Sequence, residues 1–357
     1  MTKILHIAEQ AKGGVSTILN ELLNYSSNID SVTTAVLTNK NHEQYINQDS
    51  KIYTFKGTRS VIGLFSFFLR VREVVNDFKP DIVHLHSSFA GAVGRLALMF
   101  SNIKIVYHPH GVSFDPDRVQ GFKGWTLKFI EQVLSIFCHK IIAISKYELL
   151  CLETIIARKK LALVVNGVRD VDVDFNLARN EKLLFIGRLD TQKGLQFLLD
   201  FYINNTPNYE LDIAGESCVT NSSDKINNSK VKYLGWLDYE EVPTLLSSYK
   251  AVIIPSLWEG FGLVAIEALR SGTPIITSDR GALPYIVSQG DSIGTVFKLH
   301  DIDNSLPDSL HRLDQIYDAD IHSRCRQTFL DNFESSKMCA DIFRVYSSLS
   351  NKSQQNN

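Results

Sequence analysis

The chain has 357 residues, 44% of them apolar, a length suited to two domains of ordinary size and a composition that supports globular cores, with no low-complexity tract before a polar tail at 351–357 expected to be disordered. Five scattered cysteines without a C-x-x-C read as reduced thiols and favour a cytoplasmic location, and the longest apolar stretch, residues 61–69, falls far short of the roughly 20 residues needed to cross a bilayer. The net charge of −2 conceals 20 basic against 14 acidic residues over 1–170 and an acidic remainder, so the first half is expected to face something anionic: membrane headgroups, a lipid diphosphate or nucleic acid.

Residues 4–8 read as a short buried strand rather than a secretory signal, followed by a loop and a helical run from Val15 to about Tyr25. Gly13 and Gly14 therefore sit at a strand-to-helix turn, where an open α/β sheet keeps its ligand crevice, although a full G-x-G-x-x-G is absent. Residues 32–37 and 52–54 are strand-like, and 64–78 have helical spacing. The next strand, 81–86, places His84 and His86 on one face. An H-x-H at a strand end binds metal in amidohydrolase-type enzymes, but those need further ligands at later strand ends and a longer barrel, which the glycine and charge landmarks do not fit. His86, nearer the strand's end, is expected to border the cleft. Residues 103–107 form another strand running into His108, Pro109, His110 and Gly111. Residues 121–140 contain an amphipathic helix with Trp125, Phe129, Val133 and Phe137 on one side and Lys123 and Lys128 near its start. Such a face packs into its own domain or, with its basic and aromatic residues, meets a bilayer. Strands at 141–145 and 161–165 close the first sheet, ending in Asn166 and Gly167, and a polar stretch without periodicity, residues 170–179, suits an interdomain hinge.

A second domain begins with a strand at 182–186 that runs into Gly187, Arg188, Leu189, Asp190, Thr191, Gln192, Lys193 and Gly194. Arg188 offers a bidentate fork and Lys193 a compact charge, a combination suited to a phosphate ester. Strands follow at 210–214 and 231–234, the second ending in Gly235, Trp236 and Leu237. Residues 251–285 then read strand, loop, helix, strand. Glu259 lies in the loop and Glu267 about one turn inside the helix, so both border one crevice. Its apolar neighbours Ala265, Ile266, Ala268 and Leu269 give Glu267 little polar surface, so a ligand or fixed partner is expected for it. The glycines let backbone amides approach a bound group, and a helix N-terminus favours phosphate. From Ile302 to about Ser348 the pattern is helical.

The run Pro255, Ser256, Glu259, Gly260, Phe261, Gly262, Glu267 and Ala268, followed by Ser271, Gly272, Thr273 and Pro274, resembles the core motif of the retaining GT-B glycosyltransferases of family four, which include bacterial polysaccharide and lipid glycosyltransferases. The resemblance covers the whole chain, densest over 182–285 and thin over 40–80 and 286–357. It implies an α/β fold of two Rossmann-like domains facing each other across a cleft. Those would be an acceptor-binding domain over 1–168, a hinge over 169–180, a donor-binding domain over 181–336 and a helix over 337–350 crossing back to the first domain.

The activity implied is transfer of a hexosyl unit from a nucleotide sugar, UDP more than GDP from family frequency, to a saccharide acceptor such as a polyprenyl-diphosphate-linked sugar of O-antigen or capsule assembly. No metal or other cofactor is implied, and no nucleic acid. Peripheral attachment of the basic first domain to the inner-leaflet surface goes with that reading. By the same resemblance Gly13 and Gly14 lie near the donor phosphates and the acceptor, and His110 stands beside the transferred sugar together with Glu259. Arg188 and Lys193 take the diphosphate, helped by the amides around Gly260, Phe261 and Gly262 and the helix start at Leu263, while Glu267 binds the ribose and Gly235 marks the seat of the base. The chain departs from the family pattern at Val168-Arg169, at Gly215-Glu216-Ser217 and at Tyr285, where relatives carry Glu. Three rivals are a metal-dependent GT-A enzyme, a GT-B sugar-nucleotide isomerase or epimerase, and an inactive binding protein. The first needs a D-x-D after a buried strand, and the pairs at Asp115/Asp117, Asp172/Asp174, Asp301/Asp303 and Asp318/Asp320 follow no clear one.

Overall fold

The computed structural model describes residues 1–57, 59–173, 178–205, 207–216, 228–238 and 240–350. Ser217, part of the expected hinge and the tail 351–357 lie outside the described residues. The chain divides into two units, Met1–Val168 together with the segment from Ser335 onward, and Arg169–Glu334.

The first unit runs β1 (Thr2–Ala8), α1 (Gly14–Ser27), β2 (Val32–Asn39), β3 (Lys51–Phe55), α2 (Val61–Phe78), β4 (Ile82–His86), α3 (Ser88–Ala97), β5 (Lys104–His108), α4 (Gly121–Leu134), β6 (Lys140–Ala143), α5 (Lys146–Glu153) and β7 (Leu161–Leu163). Its seven strands are all parallel in the order β3-β2-β1-β4-β5-β6-β7. Parallel strands are covered on both faces, and Ile82–His86 is buried at every residue. One face of the sheet presents Leu5, Ile7, Val83, Leu85, Ile105 and Tyr107 to a core shared with Phe67, Val71 and Val74 of α2. The alternation of strand side chains sends His6, His84, His86 and His108 to the opposite face.

The second unit runs β8 (Leu183–Ile186), α6 (Leu195–Asn204), β9 (Leu211–Ala214), β10 (Val231–Gly235), α7 (Val242–Ser247), β11 (Ala251–Ile254), α8 (Leu263–Arg270), β12 (Ile275–Ser278), α9 (Leu283–Val287), β13 (Gly294–Phe297), α10 (Ile302–Ile316) and α11 (Ile321–Asn332). Its six parallel strands are ordered β10-β9-β8-β11-β12-β13. In each sheet the strand order reverses direction once, between β1 and β4 and between β8 and β11, and ligands of open α/β sheets bind at that reversal. The described residues that follow Val168 are tied to this unit. Arg326 grips Asp170 through both carboxylate oxygens at 2.5 and 2.6 Å, Arg270 donates to the Arg169 carbonyl at 2.8 Å, and Arg179 donates to Thr273 and to the Ser271 carbonyl.

The last helix, α12 (Ser335–Ser350), belongs to the first unit. Ser335 Oγ donates to Glu21 of α1 at 2.8 Å, and Phe343 packs on Tyr25 with ring centroids 5.3 Å apart. Tyr346 reaches the histidine face of the sheet, its hydroxyl 2.6 Å from His84 Nδ1. Sequence periodicity left the role of the aromatic face of α4 open between the domain core and the bilayer. The structure excludes the core: Phe122, Trp125 and Phe129 are exposed and stacked on one another at 5.8 and 5.9 Å. No described helix is long and apolar enough to cross a membrane.

Candidate functional site

In the second unit the neighbouring strands β8 and β11 bring the loops that follow them together. Asp190 caps the short turn Thr191–Lys193 by accepting from Lys193 N. Leu257 N then donates to the Gln192 carbonyl at 2.8 Å and Gln192 Nε2 to the Trp258 carbonyl at 3.3 Å. The two loops approach so closely that a Cβ on Gly194, at φ +68°, would lie 1.9 Å from the Pro255 carbonyl oxygen, which only glycine avoids. This stitching sets Lys193 Nζ 2.6 Å from Glu259 Oε2, and Ser256 Oγ donates to the same oxygen at 3.2 Å. Both charged groups are largely buried, so their attraction is screened far less than a surface pair. Arg188, more exposed, holds Asp190 and Gln192, both at 3.1 Å.

Gly262, in the left-handed region, opens α8 without a side-chain cap, so among the described residues the first turn of α8 presents backbone N–H groups that no capping side chain takes up. The Phe261 side chain is turned into the core against Phe333, which leaves only its backbone for a ligand, and Leu263 begins the helix. The carboxylate of Glu267, a turn further on, makes no hydrogen bond or ion pair to a described residue. Burial raises its pKa, against the opposing pull of Arg270 and Lys193, so this carboxylate is short of donors. At the other edge the Glu259 carbonyl accepts from Ala282 N at 3.2 Å, and a Cβ on Gly281 would sit 1.8 Å from that oxygen. Gly235 ends β10 and its carbonyl accepts from Gly215 N at 2.7 Å, linking the ends of β9 and β10. Of the second-unit residues singled out in the sequence, the fold thus joins Lys193 directly to Glu259 and sets Gly260, Phe261, Gly262, Leu263 and Glu267 along the same loop and helix.

In the first unit Gly13, at φ +62°, is the N-cap of α1 and Gly14 its first residue. His110 follows β5 with φ +56°, a left-handed conformation uncommon outside glycine and often found where function holds a residue in place. The next residue, Gly111, donates its N–H to Glu148 Oε1 at 2.9 Å, and Ile144 N donates to Oε2 of the same carboxylate at 2.8 Å. Glu148 is buried, which pushes its pKa up to about 7 against the lowering effect of those two N–H donors. Its anchoring role was not read from the sequence. The signal was present in Ser145-x-x-Glu148, a capping box in which Ser145 Oγ accepts from Glu148 N at 3.0 Å.

His110 also ends a group of five imidazoles. Strand register pairs His6 with His84 and His86 with His108 across β1, β4 and β5. His6 Nδ1 lies 3.0 Å from His86 Nε2, and His86 Nδ1 lies 2.9 Å from His110 Nε2. His108 stacks on His110 with centroids 3.8 Å apart. Among the described residues His84 Nε2 and both nitrogens of His108 have no hydrogen-bond partner. Burial lowers all five pKa values, those of His6 and His110 to about 3, so the rings are neutral at physiological pH. Two trios, His6/His84/His86 and His86/His108/His110, have ligand nitrogens within 4.8 Å of one another and could in principle converge on a metal ion. The second trio fits an ion poorly, because the His108 and His110 planes are 19° from parallel and stacked, so their in-plane lone pairs run side by side rather than converge.

Two parallel, doubly wound sheets, each with its polar and glycine-rich loops at the point where strand order reverses, have the architecture of the GT-B fold class. Residues 12–171 match the family model Glycosyltransferase Family 4 and residues 172–310 match Glycosyl transferases group 1. The chain belongs to this glycosyltransferase family. It is 32% identical to an uncharacterised 41.2 kDa protein in the cps region of Klebsiella pneumoniae, over 97% of this chain and 99% of that protein. It is 26% identical to the Escherichia coli UDP-Gal:alpha-D-GlcNAc-diphosphoundecaprenol alpha-1,3-galactosyltransferase, over 83% of this chain and 80% of that one. Among solved structures, sucrose-phosphate synthase from Thermosynechococcus elongatus superposes with a TM-score of 0.79 at 18% identity, covering 99% of this chain and 100% of that one. Anabaena Alr3699/HepE, in complex with UDP and glucose, superposes with a TM-score of 0.76 at 19% identity, covering 98% and 100%.

Proposed function

We propose that this glycosyltransferase moves a hexosyl unit, with retention at the anomeric carbon, from a UDP-linked sugar to a polyprenyl-diphosphate-linked saccharide in bacterial surface polysaccharide assembly, of the O-antigen or capsule type. The observation that carries the reading is the Lys193–Glu259–Ser256 cluster at the β8/β11 reversal, beside the uncapped start of α8. A lysine already paired with a carboxylate can pass to an arriving diphosphate and free that carboxylate for sugar hydroxyls. The E. coli relative's lipid-linked acceptor and the UDP-sugar complexes of HepE support the choice of substrates.

As the glycosidic bond breaks, negative charge grows on the departing diphosphate. Arg188, Lys193 and the amides from Gly260 to Leu263 stabilise it there. Glu267, short of donors, accepts from the ribose hydroxyls. Gly235 and its neighbours seat the base through backbone groups. His110 and Glu259 hold the sugar, and Gly13 and Gly14 lie along the phosphates and acceptor. No resident metal or cofactor enters this scheme, since cationic side chains and amides carry the charge a metal would otherwise carry. The first unit docks on the cytoplasmic face of the inner membrane through the exposed ladder of Phe122, Trp125 and Phe129 with Lys123 and Lys128 beside it.

The test is transfer from a panel of nucleotide sugars to a lipid-linked acceptor in the presence of EDTA. Lys193→Ala and Glu267→Ala each remove charged hydrogen bonds worth about 1.5–3 kcal/mol, or roughly 10–150-fold in kcat/KM. Unchanged rates in both variants refute the site. Conversion of the donor without any acceptor points to an isomerase instead, and activity lost in EDTA refutes the metal-free scheme.

A further inference from the structure

The loop that carries His110 turns through two successive residues with positive φ, +56° at His110 and +111° at Gly111. A side chain on the first is strained there, and such strain persists only where the surroundings over-determine it. A Cβ on Gly111 would meet nothing within 4 Å, so that glycine serves the turn and not a close approach. The turn is held by a side chain of the helix that follows β6. Glu148 Oε1 accepts from Gly111 N at 2.9 Å and Oε2 from Ile144 N at 2.8 Å, so one carboxylate ties the loop after β5 to the end of β6.

Helix capping alone does not account for this carboxylate. A capping-box glutamate serves its own helix, and an exposed one does so without the desolvation that a buried charge suffers. Glu148 is 1% exposed and has the carboxylates of Asp115 and Glu131 acting against its charge, yet it reaches 37 positions back along the chain to Gly111. The residue before it holds the other end of the same loop. Tyr147 Oη donates to Asp115 Oδ1 at 2.8 Å and lies 3.4 Å from Asp117 Oδ2, while Asp115 Oδ1 also accepts from Asp117 N at 2.9 Å. Between the two anchors Val112 and Phe114 are buried in the core of the unit. The first turn of α5 thus grips the segment from Gly111 to Asp117 at both ends.

We propose that Glu148 and Tyr147 are positioning residues for sugar transfer: through Gly111 and Asp115 they hold the segment after β5 in the one conformation that keeps His110 in its left-handed turn at the strand end. A group that must meet a sugar oxygen loses rate steeply when displaced, on the order of 100-fold for 1 Å. The catalytic consequence rests on the function proposed above; the clamp itself does not.

Hydrogen–deuterium exchange of the full chain without substrate, read on peptides covering 108–117, tests the clamp, and transfer kinetics test its consequence. Glu148→Gln keeps the shape but offers one oxygen where two N–H groups need one each. The expected result is faster exchange over 108–117 with β4 unaffected, and kcat lowered about tenfold with KM for the donor little changed, since the second unit holds the donor's phosphates and base. Tyr147→Phe, which removes one hydroxyl and no charge, is expected to quicken exchange over 112–117 and to lower kcat about threefold. Should Glu148→Gln fail to fold, Tyr147→Phe decides by the same two readings. Arg95→Met loosens the same unit at the α3–α4 contact, and measured below its melting midpoint it is expected to keep the wild-type kcat, which separates general destabilisation from loss of the clamp. Wild-type exchange over 108–117 in the clamp variants, wild-type kcat in them, or an equal fall of kcat in Arg95→Met overturns the proposal. The expected exchange pattern in a protein that transfers no sugar overturns the functional reading instead and leaves the clamp in place.

Discussion

The five buried imidazoles make this molecule sensitive to acid in a pH range where most proteins are indifferent. An unfolded histidine takes up a proton below about pH 6.5, whereas burial holds His6 and His110 neutral down to about 3 and the other three well below their ordinary value. Their contribution is therefore intact above pH 6.5 and is lost as pH falls below it. At pH 5.5 His6 and His110 each cost on the order of 1 kcal/mol, and the other three act in the same direction. Glu148 acts in the opposite sense. Its pKa is raised to about 7, so it favours the folded state increasingly as pH falls from 7 toward 4.5, by on the order of 1–2 kcal/mol. Five groups outweigh one, and urea melts at pH 7.5 and 5.5 should show a clear drop in midpoint at the lower pH. Equal midpoints would mean that the rings are protonated in the native state. Only His110 and the H-x-H pair His84 and His86 were legible as site candidates in the sequence, because His6 meets His84 and His108 meets His86 through strand register, across 78 positions in one case and 22 in the other.

Among the elements, α3 and α4 are joined by an ion pair that periodicity does not announce. Arg95, fully buried, reaches Glu131 at 2.7 and 3.3 Å, donates to the Gly91 carbonyl and lies over the Tyr107 ring at 4.0 Å. Removing one partner strands the other charge in the core, at a cost of about 3–5 kcal/mol. Arg95→Met should lower the thermal midpoint strongly, and Glu131→Gln added to it should restore part of the loss. If the single variant melts like the wild type, the pair is not buried as described. The strand–loop–helix–strand pattern over 251–285 was plain in the sequence, since β11, α8 and β12 are bounded by Gly262 and Gly272. The pairing of Lys193 with Glu259 was not, since it depends on β8 and β11 being neighbours although β9 and β10 intervene in the chain. The same limit applies to α4: its aromatic spacing was visible, but whether a neighbour covers that face is a property of the packed unit.

Across the whole molecule, the excess of basic residues in 1–170 falls in the unit that carries the exposed Phe122, Trp125 and Phe129. A basic residue near an anionic surface is worth about 1 kcal/mol, and the effect is screened by salt. Flotation with liposomes should therefore require anionic lipid, weaken between low and high salt, and be lost in Trp125→Ala/Phe129→Ala while the melting temperature is kept. Flotation that ignores lipid charge, or survives the double change, would remove the membrane surface from the proposal.

By itself the sequence determined the α/β class and the family, and it put forward Glu259, Glu267, Arg188, Lys193 and His110 as site candidates. Those signals are local: turn glycines, apolar runs and charges at fixed spacing along a few dozen residues. Only the tertiary structure decided that Lys193 holds Glu259, that Glu148 anchors Gly111, that His86 links His6 to His110 and that the aromatic face of α4 lies open. Parallel sheets pair strands distant in the chain, and which side chains then become neighbours follows from strand order and register, neither of which is written in any short stretch of residues.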